Sequence, residues 1–245
     1  MKIFGILNLT PDSFSGSNTY QDAAQMLQDG ADYIDVGAES TRPNATPITP
    51  QQEWARLEPF FKTSQNIPIS LDTRHPETLA KALAYNNLKF LNDVSGLENA
   101  QMVRLAKNSG INVVVMHSLT VPADKNVVLT SAPIQTLKNW FTSKLAALTA
   151  AGISPNKIIF DPGLGFGKTQ AQNAQIVEKA PELAAFCHNL GTKILYGHSR
   201  KSFLNVPESQ RDLETARLTR YLYAANVDFV RVHNVKQNLE AIKWT

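Results

Sequence analysis

The chain has 245 residues, of which 43% are hydrophobic and 18% charged, with a formal net charge of +3 at pH 7. That length fits two small domains or one α/β barrel of about 250 residues, and no run of about 18 apolar residues is present to span a bilayer. The positive charge is spread without long basic blocks, so there is no nucleic-acid platform, although an anionic small substrate is compatible.

The single cysteine, Cys187, excludes an internal disulfide and suits a cytoplasmic protein. It sits in a helical pattern, where a buried, inert thiol is expected rather than a nucleophile. The apolar run at residues 1–8 is too short for a signal peptide and no small-residue cleavage site follows it, so it is read as a first strand.

Short β-branched runs alternate with longer helical patterns from end to end, the signal of βα units and a parallel sheet. Strand one is predicted over 2–9 and its helix over 19–29, closed by Gly30. Strand two covers 33–36. The segment after it, ESTRPNATPIT, carries prolines that forbid a regular element. Helix two is predicted over 50–62, with Thr49 as N-cap and Pro50 at the first helical position. Strand three follows at 67–71 with a helix at 76–86, then strand four at 90–92 with a helix at 100–109 that stops at Gly110.

Strand five is predicted at 112–116. Residues 119–130 show no pattern and are expected to form a long, mobile loop. The longest helix spans 131–151 and stops at Gly152. Strand six covers 158–160, followed by a helix over 171–190 interrupted near Pro181. Strand seven covers 193–196, helix seven 213–225, strand eight 229–232 and the last helix 235–243. Eight strands, each followed by a helix, predict a single (β/α)8 TIM barrel over 1–245. A doubly wound open sheet is the competing arrangement. No linker, repeat or low-complexity stretch argues for a second domain.

Residues 158–169, IIFDPGLGFGKT, resemble a phosphate loop but fail both familiar templates. A Walker A loop needs glycine where Pro162 stands, and a dinucleotide fingerprint needs glycine where Lys168 stands. What remains is a strand ending in an acid, then a tight turn. The other strand ends are also polar: Asn8, Asp35, Asp72, Asn92 with Asp93, Met116 with His117, Asp161, Gly197 with Lys201, and Arg231 with His233. Any one of these residues is more often a helix cap or a satisfied loop group than a functional one. All eight ends, however, converge on the face where barrel enzymes do their chemistry.

Carboxylates and amides such as Asp72, Asn92 and Asp161 can hydrogen-bond the amino and ring N–H groups of a flat heterocycle. Lys201, Arg231 and His233 add cationic donors for an anion or carbonyl oxygen, and a planar arginine can stack on a ring. Together they describe a site for an aromatic heterocycle beside a phosphate. No cluster has zinc spacing. A Mg2+ held mainly by substrate phosphates would need only one protein oxygen, for which Asn8 is the candidate. No G-x-S-x-G elbow supports a serine nucleophile.

The segments carrying these residues, GILNLTPDSFS, DVGAESTRP, ISLDT, FLNDVSG, VVVMH, DPGLGFGKT, GHSRKSFL and RVHN, run in order from Gly5 to Asn234. In residues and order they resemble the dihydropteroate synthases. The resemblance implies a (β/α)8 barrel, usually a homodimer, that joins 6-hydroxymethyl-7,8-dihydropterin diphosphate to 4-aminobenzoate with Mg2+ and releases pyrophosphate. It implies that Asp72, Asn92 and Asp161 hydrogen-bond the pterin, with Met116 and Gly197 in the substrate-binding set and Lys201 near the pterin carbonyl. Arg231 would pack over the ring and, with His233, Thr41 and Arg42, hold the diphosphate, making Arg42, Lys201, Arg231 and His233 the catalytic set. Asn8 would bind the metal. Ser202, at the start of a helix, would receive the aminobenzoate carboxylate, and Phe166 and Pro11 would line that pocket.

The chain departs from the family pattern at several points. Asn234 replaces an aspartate after Arg-Val-His. Ala38 and Asn44 replace glycines, and Gly16-Ser17-Asn18 alters the first loop. Arg217, Arg220 and Tyr221 stand on helix seven where small residues are common. A methyltetrahydrofolate:corrinoid methyltransferase would not need the diphosphate-holding set, and a non-catalytic pterin-binding paralogue would not need to keep it.

Overall fold

The computed structural model describes residues 1–10, 19–41, 45–124 and 126–243. Its eight strands are β1 Lys2–Asn8, β2 Tyr33–Gly37, β3 Ile69–Asp72, β4 Leu88–Asp93, β5 Asn112–Met116, β6 Ile158–Asp161, β7 Lys193–Tyr196 and β8 Phe229–Val232. They pair in parallel and in chain order, and β8 returns to β1 to close the barrel. Closure removes the open-sheet alternative. The helices are α1 Thr19–Gln28, α2 Pro50–Thr63, α3 Pro76–Ala82, α4 Ala100–Ser109, α5 Pro133–Ala150, α6 Gln170–Glu178, α7 Ala180–Asn189, α8 Arg211–Ala224 and α9 Val235–Ile242. None of the described helices is long and apolar enough to cross a membrane.

Local chemistry sets the helix ends. Thr49 and Gln52 form a reciprocal capping box on α2, with the Thr49 hydroxyl accepting from the Gln52 N–H at 3.2 Å. Asn99 caps α4, which ends where Gly110 adopts φ 67. The helix expected over 171–190 is two helices broken at Lys179, because Pro181 supplies no N–H to the preceding turn. The helix expected over 76–86 stops at Ala82. Beyond it the Asn87 amide donates to the carbonyls of Ser64 and Ile67 at 2.8 and 2.9 Å, pulling the chain into the next strand. Strands four and six reach one residue further than expected, so Asp93 and Asp161 belong to the sheet.

The described residues of 119–130 form no helix or strand, but they are tied down rather than loose. The Ala123 N–H donates to the Thr41 carbonyl at 3.3 Å and the Leu129 N–H to the Gly167 carbonyl at 3.0 Å. Gln172 Nε2 also donates to the Leu129 carbonyl at 2.9 Å.

Two cores hold the barrel. The larger lies between strands and helices and includes Leu57, Phe61, Phe141 and Phe160. The smaller fills the barrel floor with Phe4, Phe90, Val114, Ile159, Leu195 and Phe229. Phe4 stands edge-on to Tyr33, Phe90 and Phe229 at centroid distances of 5.2, 5.0 and 5.4 Å. Full burial of such a ring stabilises by about 1.5–3 kcal/mol, and each edge-to-face pair adds about 0.5–1.5 kcal/mol. Two residues further along, three of these strands carry the polar side chains Asn92, Asp161 and Arg231, and the candidate site begins there.

Candidate active site

Strand alternation turns Asp35, Ser70, Asp72, Asn92 and Arg231 into the barrel just above the aromatic floor. Asp35 is their hub. It is 1% exposed and accepts from Ser70 Oγ at 2.5 Å and from Asn92 Nδ2 at 3.3 and 3.2 Å. Arg231 Nε also bonds to it, and the second arm of the guanidinium reaches Asp72 Oδ2 at 2.5 Å. Two carboxylates from adjacent strands therefore share one guanidinium. Burial pushes the Asp72 pKa up to about 7, with Arg231 opposing the shift and Asp35 reinforcing it. Burial disfavours the Arg231 charge, but Asp35 and Asp72 outweigh it and raise its pKa.

Register places Met116 of β5 beside Asp161 of β6. Asp161 Oδ1 accepts from the Gly163 N–H at 2.7 Å. Its pKa is raised by burial, against the pull of that N–H and of Lys201, Arg231 and Lys168. At Gly197 a Cβ would lie 3.5 Å from Asp161 Oδ2, so the glycine leaves the carboxylate uncovered on that side. Lys201 Nζ sits 4.6 Å from the Phe166 ring centroid. Phe166 in turn packs with Val94, Met116 and Ala123. The structure thus gathers Asp161, Gly197, Lys201, Phe166 and Met116 on one side of the mouth, and Asp72, Asn92 and Arg231 deeper within it.

Lys168, in a stretch that resembles a phosphate loop without matching one, is a supporting charge inside the protein. Its Nζ lies 2.9 Å from the carbonyls of Gly163 and Phe166, 3.2 Å from that of His117 and 3.0 Å from His117 Nδ1. Four acceptors already exceed the three N–H donors of an ammonium. Burial lowers its pKa to about 7 and that of His117 to about 3. The turn it braces needs glycine: Gly163 has φ 67, and a Cβ there would fall 2.0 Å from the His117 carbonyl oxygen.

On the β7, β8 and β1 side, His233 Nδ1 lies 2.9 Å from Ser199 Oγ. Asn8 ends β1 half-buried, in register with Gly37. Ser202 is exposed and opens a three-residue 3-10 turn, Ser202–Leu204, while α8 starts only at Arg211. The expected placement at a helix start is therefore corrected: one short turn has no macrodipole to offer a carboxylate. Thr41 is half-buried at the edge of the β2 loop, its carbonyl accepting from Ala123. Arg42 and Pro11 lie outside the described residues, as do Gly16, Ser17, Asn18 and Asn44.

Three of the remaining departures, Ala38, Asn234 and Tyr221, have local explanations. Ala38 is fully buried in the outer core. Asn234 caps α9, accepting from the Gln237 N–H at 3.1 Å, a task its amide performs as an aspartate would. Tyr221 donates its hydroxyl to the Glu178 carbonyl at the end of α6, 2.7 Å away. Sequence reasoning assigned no role to a clamp at the base of the β2 loop. Glu39 takes both arms of Arg74 at 2.9 Å and the Ile48 N–H at 3.2 Å. Burial disfavours the Glu39 charge, but these partners and His75 hold its pKa below the usual range. Among the described residues, no group of three or more His, Cys, Asp or Glu could hold a metal ion.

A family model described as pterin binding enzyme matches residues 4–233. The dihydropteroate synthase of Neisseria meningitidis serogroup C is 35% identical, with 99% of this chain and 90% of that protein covered. The folate synthesis bifunctional protein of Chlamydia muridarum is 34% identical, and the chain spans 59% of its length. Among solved structures, dihydropteroate synthase from Anaplasma phagocytophilum with bound 6-hydroxymethylpterin-monophosphate superposes with a TM-score of 0.90 at 35% identity, covering 99% of this chain and 97% of that one. The Thermus thermophilus enzyme in complex with 4-aminobenzoate gives 0.87 at 33% identity, covering 99% and 92%.

Proposed function

This chain belongs to the dihydropteroate synthase family, and we propose that it joins 6-hydroxymethyl-7,8-dihydropterin diphosphate to 4-aminobenzoate, giving 7,8-dihydropteroate and pyrophosphate. The observation that carries the proposal is the buried Asp35–Arg231–Asp72 group with Asn92 beneath Asp161 and Lys201. These groups are fixed by one another, so they meet a heterocycle without reorganising.

In this reading Asp72, Asn92 and Asp161 bond the polar edge of the pterin. Asp72, with a pKa of about 7, can accept from a ring N–H or donate to a ring nitrogen near neutral pH. Lys201 reaches the carbonyl side, and Arg231 packs over the ring with its charge maintained by two carboxylates. Met116 forms part of the wall, and Gly197 keeps Asp161 accessible. As the bond to the diphosphate breaks, charge grows on the leaving oxygens and the exocyclic carbon becomes electron-poor. Arg231 and His233 stabilise the former, with Thr41 and Arg42 assisting, and the pterin spreads the latter. The aminobenzoate amine then attacks that carbon, its ring against Phe166 and Pro11 and its carboxylate at Ser202. No side chain of the protein needs to form a covalent bond to substrate.

Asn8 fits a Mg2+ shared with the phosphates. It offers one neutral amide oxygen at the end of β1, beside the strand leading to His233, where a carboxylate cage is absent among the described residues. When bound, the ion would offset the charge developing on pyrophosphate. Exposed Leu213, Tyr221 and Tyr223, at 41, 41 and 48%, support a homodimer through α8, which light scattering checks. A cytoplasmic location belongs to the same proposal.

The test is incubation with the pterin diphosphate, 4-aminobenzoate and Mg2+, with and without chelator. Coupled, chelator-sensitive formation of dihydropteroate and pyrophosphate is expected. Pterin binding without turnover would instead identify a binding protein.

A further inference from the structure

The turn 197–201 after β7 is held from several sides. Arg200 adopts φ 56, a left-handed conformation that residues with side chains rarely take. Its N–H donates to Thr215 Oγ1 at 3.2 Å, and its guanidinium pairs with both oxygens of Asp212 at 2.6 and 2.8 Å. Buried His198 places Nε2 2.9 Å from Thr219 Oγ1, which bonds Asn238, whose amide donates to the Asn234 carbonyl at 2.7 Å. The turn is therefore fastened to α8, α9 and the loop that follows β8. Ser199, 6% exposed, is pressed against His233 as a result.

Two contacts join the pair. The His233 backbone N–H donates to Ser199 Oγ at 3.2 Å, and Ser199 Oγ lies 2.9 Å from His233 Nδ1. The backbone can only donate, so it occupies a lone pair of the hydroxyl oxygen. Among the described residues, Nδ1 is the one acceptor within reach of the Ser199 proton. An Nδ1–H could instead fill the second lone pair of the hydroxyl oxygen, but that would leave the hydroxyl proton without this acceptor. Donation by the hydroxyl satisfies both groups, leaving the lone pair on Nδ1 and the ring proton on Nε2 at the far side of the imidazole.

We propose that Ser199 is a positioning residue for His233, holding it as the Nε2–H tautomer so that it presents a donor, not a lone pair, to the substrate's diphosphate. This rests on the reading of His233 as a diphosphate ligand. A lone pair aimed at a phosphate oxygen repels it, whereas an N–H attracts it, so fixing the tautomer beforehand removes a choice at the moment of binding. Charged groups near His233 include, among the described residues, Asp212, which His233 influences, and Arg200, which pairs with Asp212.

The test is a two-bond 1H–15N correlation spectrum of protein labelled at histidine, recorded at about pH 8, where an ordinary imidazole is neutral. His233→Gln assigns the signal. An unprotonated Nδ1 and a protonated Nε2 are expected, and inorganic pyrophosphate should shift the Nε2 resonance. Ser199→Ala should give mixed tautomers and weaken pyrophosphate binding about fivefold, the size of one neutral hydrogen bond, and Ser199→Thr should restore both. The KM for the pterin diphosphate should rise in Ser199→Ala by more than kcat falls. Protonated Nδ1 in the wild type, in a neutral or charged ring, would overturn the proposal, as would an unchanged tautomer and affinity in a folded Ser199→Ala. The wild-type spectrum decides even if that variant fails to fold. Because the tautomer is read without turnover, its failure and the failure of the proposed activity are separately visible.

Discussion

The floor and the mouth of the barrel come from the same strands at inward positions two residues apart. Tyr33 and Asp35 share β2, Phe90 and Asn92 share β4, and Phe229 and Arg231 share β8. At a rise of about 3.3 Å per residue, roughly 7 Å separates an apolar aromatic layer from a layer of buried charge. The floor gains stability from shape and area, and its edge-to-face rings need no particular partner atom. The mouth keeps carboxylates and a guanidinium out of water, an arrangement that costs stability unless each is paired, and its geometry tolerates few alternatives. Stability and recognition are thus segregated along the barrel axis.

The largest effect expected from breaking this division is on the floor. Phe4→Ala should lower the unfolding free energy by about 3–5 kcal/mol, measured by urea denaturation, while the pterin affinity of the folded protein stays unchanged. A loss of affinity matching the loss of stability would show that the two layers are not separable. Next comes the mouth. Asp161→Ala should weaken pterin binding about 10- to 100-fold by calorimetry. Its effect on stability should be small, because the variant also relieves a carboxylate whose ionisation burial opposes. Unchanged affinity would mean that the pocket is wrongly assigned.

The smallest effect is a slope. Asp72 ionises at about 7 in the folded protein against about 4 when unfolded, so the folded state binds more protons across that interval. Its contribution is most favourable below pH 4 and is lost as pH rises to 7. His117 and His198, lowered to about 3 and 4 by burial, act oppositely, because their unfolded forms take up protons as pH falls below about 6.5. The difference between wild type and Asp72→Asn isolates the aspartate. The variant's stability relative to wild type should improve from pH 4.5 to 7.5, on the order of 1 kcal/mol because Arg231 and Asp35 adjust to the change. A difference of the opposite sign would show that Arg231 dominates and keeps Asp72 ionised.

The barrel was legible because strand period and helix punctuation both leave strong local marks. Pro50 after Thr49 and the stop at Gly110 are examples. Asp72, Asp161 and Arg231 could be found as strand ends. Asp35 received no role because the hub lies one inward step below the rim, and only the pairing of β2 with β3 puts Ser70 opposite it. The signal was present in the alternation of Asp35 with Gly37. Ser202 was placed at a helix start because a polar residue before an apolar run is an ordinary cap pattern; the distinction between a 3-10 turn and an α-helix depends on tertiary packing. Lys168 carried no mark of its cage, since the carbonyl of His117 comes from another loop. Cys187 is buried with its pKa pushed up to about 12, as a lone thiol in an apolar stripe should be.

That lysine cage bears on how such barrels can be recombined. Loops at a barrel mouth are commonly treated as parts that can be exchanged one at a time. Here one ammonium draws carbonyls from the loops after β5 and β6 onto a single point, and the His117 carbonyl can pass so close only because residue 163 is glycine. The two loops are one inherited part. A chimaera that imported the segment 161–168 without its matching 117–119 would bring a lysine with too few acceptors, and one that imported 117–119 alone would bring a carbonyl with no lysine.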